Sequence, residues 1–394
     1  MRNPEELSPQ DRIRSLAAIM TAIGVAGMGM GFTGPLFSYS FEAAGYPRTI
    51  TGLNFAVFAL AIILFAPVVP MLMRKYGTVN ILWTSQATMV VFLIAFRLLD
   101  HWAIWFVLRF LMGLSMTALF VSTEIWINTI AREESRGRVL GIYTVFLSGG
   151  FTVGVSILYF VGSAGWAPVL ISCALFAAAS LPLIPARRLT PPSPEAEKRW
   201  PVLPFVKGAP SALIAGIIFG AVEMGILNLL NVYGVRSGLS ESAATLMLLS
   251  TAAGNLVGPP IIGILADRVN RRALLAGCAG VGAITSMLIP ALVYNPLFLH
   301  LVLFINGGII VGLYVVGLTL ASERFKGKDL AGANAAFITM YGIGALFGPF
   351  MGGVAMDIWD PNGLMVVFFG LAGAYALLVF ARIRRGTSLT GGAA

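Results

Sequence analysis

The chain has 394 residues, of which 58% are hydrophobic and 11% charged, with a formal net charge of +9. Soluble domains carry about 25% charged residues, so this composition excludes an ordinary soluble protein, and its apolar content excludes a disordered, collagen-like or coiled-coil chain. The basic residues lie between apolar runs and do not cluster on one aromatic-rich face, which argues against nucleic acid as a partner. Cys173 and Cys278 each fall inside an apolar stretch, which predicts buried thiols and neither a disulfide nor a metal motif.

Hydropathy divides the chain into about twelve apolar runs that are each long enough for a helix to cross a bilayer. The runs lack the in-and-out alternation of barrel strands and therefore predict helices. The first run is longer than the core of a signal peptide, so we expect it to remain as a span. The predicted spans are 15–41, 50–73, 80–99, 102–130, 139–161, 168–185, 209–233, 243–265, 273–294, 297–323, 330–356 and 364–383.

The longest polar interruption covers residues 185–208, where prolines and charges cannot continue a helix through lipid. It predicts an N-terminal six-helix bundle over 1–184, a cytoplasmic linker over 185–208 and a C-terminal six-helix bundle over 209–394. The halves also look related, because residues 67–75 align without gaps on 260–268. Two pseudo-symmetric six-helix bundles in parallel repeat are a known transporter architecture, with the solute site near the midplane.

Lysine and arginine predict the orientation, since cytoplasmic loops carry an excess of both. Of the 26 such residues, 22 lie in the chain ends and in the loops after even-numbered spans. The opposite side carries Arg48, Arg97 and Arg236, and Arg109 lies within a span. Both chain ends are therefore predicted to be cytoplasmic, in a multi-pass protein of the cell inner membrane.

The loop after the eighth predicted span reads GILADRVNRR at residues 263–272. It resembles the signature G-x-L-A-D-R-x-G-R-R of the major facilitator superfamily and departs from it at Asn270. Asn tolerates left-handed backbone better than most residues, so we expect the turn to survive. The resemblance implies a twelve-helix transporter without a cofactor, and an Asp267 carboxylate set against a helix N-terminus, where the helix dipole favours it. The implied conformational latch consists of Gly263, Asp267, Arg268, Arg271 and Arg272, together with Arg136 and Arg138.

Other stretches carry the same resemblance. RFLMG at 109–113 resembles the R-x-x-x-G signature of the fourth helix, and GPFMGG at 348–353 is similar to an antiporter signature, although it lies in the eleventh span. The equivalent loop of the first half has Arg74 in place of the signature Asp. A narrower similarity, to the YcaD-like branch, rests on TEIWIN at 123–128, RGRVLGIY at 136–143 and GLYVV at 312–316.

Ionisable side chains are costly in hydrocarbon, so each one inside a span is a functional candidate. Arg109, Glu124 and Glu223 form this set. Arg109 and Glu124 lie 15 residues apart, which is about 22 Å along one helix, so they cannot pair directly. Structural alternatives remain open: Arg109 holding backbone carbonyls of a neighbouring helix, and Glu124 bonding to Trp126 or a nearby Asn.

Uncharged polar groups within spans complete the candidates. Asn54, Asn228 and Asn231, with Tyr314 and Tyr341, are predicted to line a solute cavity. The alternative for any of the intramembrane amides, among which are also Asn255 and Asn306, is a hydrogen bond between helices worth roughly 1 kcal/mol.

The predicted function is secondary active transport of a small organic solute by alternating access, in a monomer. Proton coupling is favoured because two carboxylates lie inside spans and no sodium site is evident. No G-x-x-x-x-G-K-[ST] motif occurs, which argues against ATP as the energy source. About twelve spans leave little extramembrane mass for a soluble catalytic domain, so we do not expect an enzyme. The alternatives are a multidrug or amphipath exporter and, from another class, a non-transporting membrane sensor or assembly factor.

Overall fold

The structure, a computed structural model, describes residues 8–99, 101–131, 136–190, 202–325 and 328–390. Within these ranges twelve helices are long and apolar enough to cross a membrane. The same ranges contain no β-strand. The predicted all-α class with twelve spans is confirmed.

The first half of the chain begins with the longest helix of the protein and ends in a short helical turn. Its elements are α1 (Pro9–Ala43), α2 (Arg48–Phe65), α3 (Val69–Tyr76), α4 (Thr78–Leu98), α5 (Trp102–Ile130), α6 (Arg136–Val161), α7 (Ala167–Ala179) and α8 (Leu183–Ala186), followed by a 3-10 turn at Arg187–Leu189.

The second half begins with a short helix ahead of six long ones. Its elements are α9 (Val202–Gly208), α10 (Pro210–Arg236), α11 (Glu241–Arg268), α12 (Arg271–Leu292), α13 (Pro296–Arg324), α14 (Lys328–Ile358) and α15 (Gly363–Thr390).

Two predicted spans are interrupted in the structure. The run 50–73 is split by a turn at 66–68 between α2 and α3, and the run 168–185 is split by a turn at 180–182 between α7 and α8. Pro67 and Pro182 lie in these turns, and a proline removes a backbone donor and clashes with the preceding helical turn. Hydropathy averages over such a break, so the sequence predicts one continuous helix in each place.

The structure falls into two compact units, which do not divide the chain at a single point. The first unit holds the chain up to Ser40 and from Val57 to the linker, and the second holds Phe41–Ala56 and the chain after the linker. The N-terminal half of α2 thus groups with the second unit. The predicted boundaries of the bundles and the linker stay a prediction.

Helices α1 and α6 of the first unit pack backbone against backbone. A Cβ atom added at Gly150 would collide with the Gly24 carbonyl, and one added at Gly154 would collide with the Met28 carbonyl. Small residues permit such close approach of membrane helices. The spaced glycines of these two helices therefore serve packing.

Helices α10 and α14 of the second unit form an equivalent glycine contact, which we call the α10–α14 seam. A Cβ at Gly344 would collide with the Ile217 carbonyl, one at Gly348 with the Ala221 backbone, and one at Gly220 with the Tyr341 carbonyl. This seam places α14 close enough to α10 for their polar side chains to meet.

The seam predicts that Gly344→Ala lowers the melting temperature of the purified protein in detergent. Overpacking of a tight contact destabilises by about 1–3 kcal/mol, because backbone or side chains must shift. Gly277→Ala in α12 is the matched control, since nothing lies within 4 Å of a Cβ there. Alanine is the better helix former, so the control should melt at or slightly above the wild-type temperature. A Gly344→Ala protein that melts with the control would contradict the packing.

Candidate functional site

Glu223 on α10 is held by side chains from two other helices of the second unit. Asn255 Nδ2 on α11 donates to Glu223 Oε1 at 3.1 Å, and the Tyr341 hydroxyl on α14 donates to Oε2 at 2.9 Å. A carboxylate in the membrane region is costly unless hydrogen bonds replace its lost water. Three helices therefore meet at this one group.

Aromatic rings surround the Tyr341 side of this carboxylate. Phe219 lies 5.7 Å from Tyr341 and 5.5 Å from Tyr314, measured between ring centroids. Tyr314 also packs edge-on against Phe337 at 5.3 Å. We call Phe219, Tyr314, Phe337 and Tyr341 the aromatic cluster. The structure thus brings three predicted site residues, Glu223, Tyr314 and Tyr341, into one region.

A small cavity opens on the Asn255 side of Glu223. Its interior leaves about 20 Å³ for the centre of a water-sized sphere, which is room for about one water molecule. Its lining is mainly apolar, with four polar residues from three helices. The lining residues are Phe219, Glu223, Ile226, Leu227, Thr251, Ala252, Asn255, Asn306, Gly307 and Ile310.

Asn306 of this cavity is fixed by α12. Its Nδ2 donates to Thr285 Oγ1 at 2.8 Å, to the Gly282 carbonyl at 3.2 Å and to Ser286 Oγ at 3.3 Å. Its side chain is fully buried, and its Oδ1 has no hydrogen-bond partner among the described residues. The nitrogen of this amide is therefore anchored on α12, and its oxygen is an acceptor without a partner among the described residues.

The three other predicted amides do not line this cavity. Asn228 donates to the Met224 carbonyl of its own helix at 2.7 Å, whereas Asn231 and Asn54 are fully buried. Their proposed contact with a solute stays a prediction.

Arg109 lies in the first unit, buried on α5. Its guanidinium carbon lies 4.7 Å from the centroid of the Phe37 ring and 4.5 Å from that of Phe58. Arginine stacks favourably on aromatic faces, more so when water is excluded. The sequence did not indicate these ring contacts, because the two phenylalanines lie in other spans.

Glu124, on the same helix, is exposed on the surface of the described chain. The alternative of a bond to Trp126 is wrong, because the single N–H of that indole donates to Ser15 Oγ at 2.9 Å. Glu124 remains accessible for a functional role, whereas Trp126 joins α5 to α1.

The signature loop forms a corner between three helices. Arg271 is paired with Asp267 at 3.2 Å and with Glu323 on α13, and its Nε donates to the Ala266 carbonyl at 3.1 Å. Asp267, Arg268 and Arg272 are exposed. The carboxylate predicted to face a helix N-terminus thus has an arginine as its ionic partner among the described residues.

The expectation of a left-handed Asn270 is wrong. Its φ is −60° and its ψ 116°, which is extended backbone. Its side chain instead caps α12, since Oδ1 accepts from the backbone N–H of Arg272 at 3.0 Å and of Ala273 at 3.2 Å. Asn is one of the preferred capping residues, so it replaces the signature glycine by another mechanism.

The remaining latch residues provide less structural evidence for a latch. Gly263 has open space where a Cβ would lie. The side chains of Arg136 and Arg138 lie outside the described residues. The latch itself stays a prediction.

A charged cluster, which we call the Asp357 cluster, joins four helix ends of the second unit. Asp357 accepts from the backbone N–H of Arg48 at 3.0 Å and of Thr49 at 2.8 Å, so α14 caps the start of α2. Arg48 also pairs with Asp357 and Asp360, and Arg236 pairs with Asp360 and Glu42. Carboxylates at a helix N-terminus are favoured by its free N–H groups and its dipole.

The GPFMGG motif at 348–353 supports the same connection. A Cβ at Gly353 would collide with the Arg48 carbonyl, and Gly348 belongs to the α10–α14 seam. In this chain the motif therefore packs α14 against both α2 and α10.

Sequence reasoning undervalued several of these residues. Asn255 and Asn306 were predicted as helix-packing amides, and Asp357 was not among the predicted site residues. A polar residue in each of three neighbouring spans was the available signal, but helix rotation decides which of them meet, and one sequence does not fix it. In the ranges that the structure describes, no three His, Cys, Asp or Glu residues come together as a metal site.

The family model described as Major Facilitator Superfamily matches residues 19–257 and, again, 212–393. The chain belongs to the Major Facilitator Superfamily. It is thus a transport protein and not an enzyme. The narrower YcaD-like placement stays a prediction.

Curated relatives agree with this assignment. The uncharacterized MFS-type transporter YfkF of Bacillus subtilis is 23% identical over 88% of this chain and 90% of its own length. An uncharacterized MFS-type transporter of Yersinia pestis (strain Pestoides F) is 25% identical over 71% of this chain and 72% of its own length.

Solved transporters share the fold. The nucleoside transporter NupG has a TM-score of 0.73 at 15% identity, covering 95% of this chain and 98% of that one. A bacterial homolog of the human lysosomal transporter Spinster has a TM-score of 0.72 at 16% identity, over 95% and 98%. The peptide transporter POT in complex with sulfate has a TM-score of 0.75 at 11% identity, over 94% of each chain. At these identities the likeness shows the fold alone.

The Asp357 cluster predicts that Asp357→Asn destabilises the protein. The change removes a charge and one acceptor from a carboxylate that receives three N–H or O–H groups of Arg48 and Thr49 at 3.0 Å or less. Allowing for its partial exposure, we expect a loss of about 1–2 kcal/mol and a lower melting temperature.

Asp11→Asn is the control for this substitution. Asp11 is about as exposed as Asp357, and it pairs at 3.9 Å with Arg14, an exposed side chain three residues away. Such pairs contribute little, so its melting temperature should stay near the wild-type value. Equal melting temperatures for the two variants would refute the capping role of Asp357.

Proposed function

We propose that this transporter moves a small organic solute across the inner membrane by alternating access, coupled to protons through Glu223. The observation that carries the proposal is the Glu223 carboxylate, held by Asn255 and Tyr341 beside a cavity. The excess of Lys and Arg in the loops after even-numbered spans supports an orientation with both ends in the cytoplasm.

Protonation of Glu223 would change how three helices are joined. As a carboxylate it accepts from Asn255 and from Tyr341 at the same time. A protonated carboxyl carries a donor on one oxygen, and the amide NH₂ of Asn255 cannot accept from it. Binding a proton therefore weakens the contact with α11 or reverses the contact with α14. This is a physical basis for linking a proton to helix movement.

The other polar side chains around Glu223 are hydroxyl and amide groups. Tyr341 on α14 faces it directly, with Tyr314 of α13 packed behind at 6.3 Å between ring centroids. The cavity side presents uncharged Asn255, Thr251 and Asn306. Glu223 is the one carboxylic acid in this set of described residues, so it is the group that would follow a pH gradient.

Export of an amphipathic compound is the second candidate. The lining of the cavity favours it, because Phe219, Ile226, Leu227 and Ile310 present apolar surface. An efflux assay with a fluorescent amphipath such as ethidium separates export from uptake of a polar metabolite.

The test begins with a solute. Purified protein is screened by thermal shift against a metabolite panel and a set of amphipathic dyes, and a hit is taken into proteoliposomes. A transporter should gain thermal stability from at least one compound, since ligands that bind the folded state stabilise it. A protein that no compound stabilises, and that transports none of them, would favour the sensor class.

The mutation that tests proton coupling is Glu223→Gln. We expect accumulation driven by ΔpH to fall about tenfold or more, whereas exchange without a gradient continues, because the amide keeps the shape of the side chain but cannot release a proton. Glu241→Gln is the control, since this acid lies exposed in the first turn of α11. Normal ΔpH-driven accumulation in both Glu223→Gln and Glu124→Gln would rule out coupling through these carboxylates.

A further inference from the structure

Most of the hydrogens on the polar residues of the cavity beside Glu223 are already donated to protein acceptors. The Thr251 hydroxyl donates to the Met247 carbonyl at 3.2 Å. Both hydrogens of Asn306 Nδ2 are taken up by Gly282, Thr285 and Ser286 on α12. Asn255 turns its NH₂ group toward Glu223. Apart from the second amide hydrogen of Asn255, oxygen lone pairs are therefore what these side chains have left for a ligand.

The Oδ1 atom of Asn306 is a second, independent indication of a ligand site. It belongs to a fully buried side chain, has no hydrogen-bond partner among the described residues, and lies in a residue that lines the cavity. A buried acceptor without a partner loses the free energy of its hydration. The amide cannot turn to satisfy it, because that would present an oxygen to the carbonyl of Gly282.

The polar part of this mainly apolar lining, one carboxylate and three uncharged side chains, selects for charge. An anion would meet a like charge, and a neutral solute with mixed groups would find few donors. Carboxylate, amide and hydroxyl oxygens are the ligands of hard cations. Ca²⁺ takes about six to eight oxygen ligands and Mg²⁺ keeps several waters, for which this small cavity has no room, whereas a single carboxylate with neutral oxygens matches one positive charge.

We propose that Glu223, Thr251, Asn255 and Asn306 form a binding site for a small monovalent cation, for which Na⁺ is the probe. Helices α10, α11 and α13 each supply a ligand, so occupancy would hold the three helices together. The proposal rests on the proposed function in one respect only, namely that Glu223 is the residue through which an ion acts on transport, and the cation would compete with the proton for this carboxylate. Binding itself can be tested without any transported solute.

The oxygen ligands come from three separate helices, so no local sequence motif indicates this site. For this reason no sodium site is evident from the sequence alone. The oxygens meet only when the three helices are packed side by side.

The experiment measures binding of ²²Na⁺ to the purified full-length protein by scintillation proximity, with Li⁺, K⁺, NH₄⁺ and choline as competitors. We expect saturable binding that Li⁺ or unlabelled Na⁺ displaces and that choline does not. Glu223→Gln should abolish it. Thr251→Val should weaken it about tenfold, within the range seen for changes around metal sites, and Thr251→Ser should restore it.

Matched variants separate binding from folding. Thr245→Val removes another buried hydroxyl of α11, one that donates to the Glu241 carbonyl at 2.8 Å and lies outside the cavity, so it should bind Na⁺ normally. Asn306→Leu keeps the size of the side chain but removes its oxygen, and should weaken binding as Thr251→Val does. A Na⁺-dependent rise in melting temperature should follow the same order across the variants.

Two results would overturn the site: no saturable ²²Na⁺ binding to the wild type, or binding that Glu223→Gln leaves unchanged. Competition by choline as strong as that by Na⁺ would also overturn it, because it would reveal a general ionic effect. The proposed proton mechanism is tested by a separate result. If ΔpH drives accumulation in sodium-free buffer and Glu223→Gln prevents it while no Na⁺ binds, the proton mechanism stands and the cation site falls.

Discussion

Hydrocarbon supplies no hydrogen bonds, and this constraint accounts for where the polar side chains of the protein lie. A carboxylate such as Glu223 persists inside a span because Asn255 and Tyr341 replace the water it loses. The same rule applies to Asn306, whose NH₂ group is satisfied by α12. Its oxygen has no hydrogen-bond partner among the described residues, and the residue borders the cavity. Polar groups that are satisfied by protein join helices, and an unsatisfied acceptor beside a cavity marks a place for a ligand.

The sequence predicted the parts of this protein that depend on composition along the chain. Twelve runs of apolar residues predict twelve helices because lipid leaves few other solutions, and the structure has them. What composition cannot register is a local break, so the turns at Pro67 and Pro182 were missed. Asn270 shows a different limit, since one residue can serve a loop either by left-handed backbone or by capping, and the geometry decides.

The candidate site was predicted in part for the same reason. Rarity inside spans identified Glu223, and the aromatic residues Tyr314 and Tyr341 followed from their place in the second half. Their meeting, and the inclusion of Asn255 and Asn306, depends on the rotation of four helices about their axes. The α10–α14 seam fixes part of this rotation, because only the glycine-bearing faces can approach so closely.

The seam also affects how loss-of-function data on this protein should be interpreted. Gly220 lies one turn before Glu223 on α10, and an added methyl group there would strike the carbonyl of Tyr341. Such a variant could abolish transport by displacing the Tyr341 hydroxyl, although glycine has no side chain to touch a solute. In a mutational scan, positions that act through packing and positions that act through a functional group would both lose transport along this stretch of α10. Only substitutions that keep size and change polarity, such as Glu to Gln, separate the two.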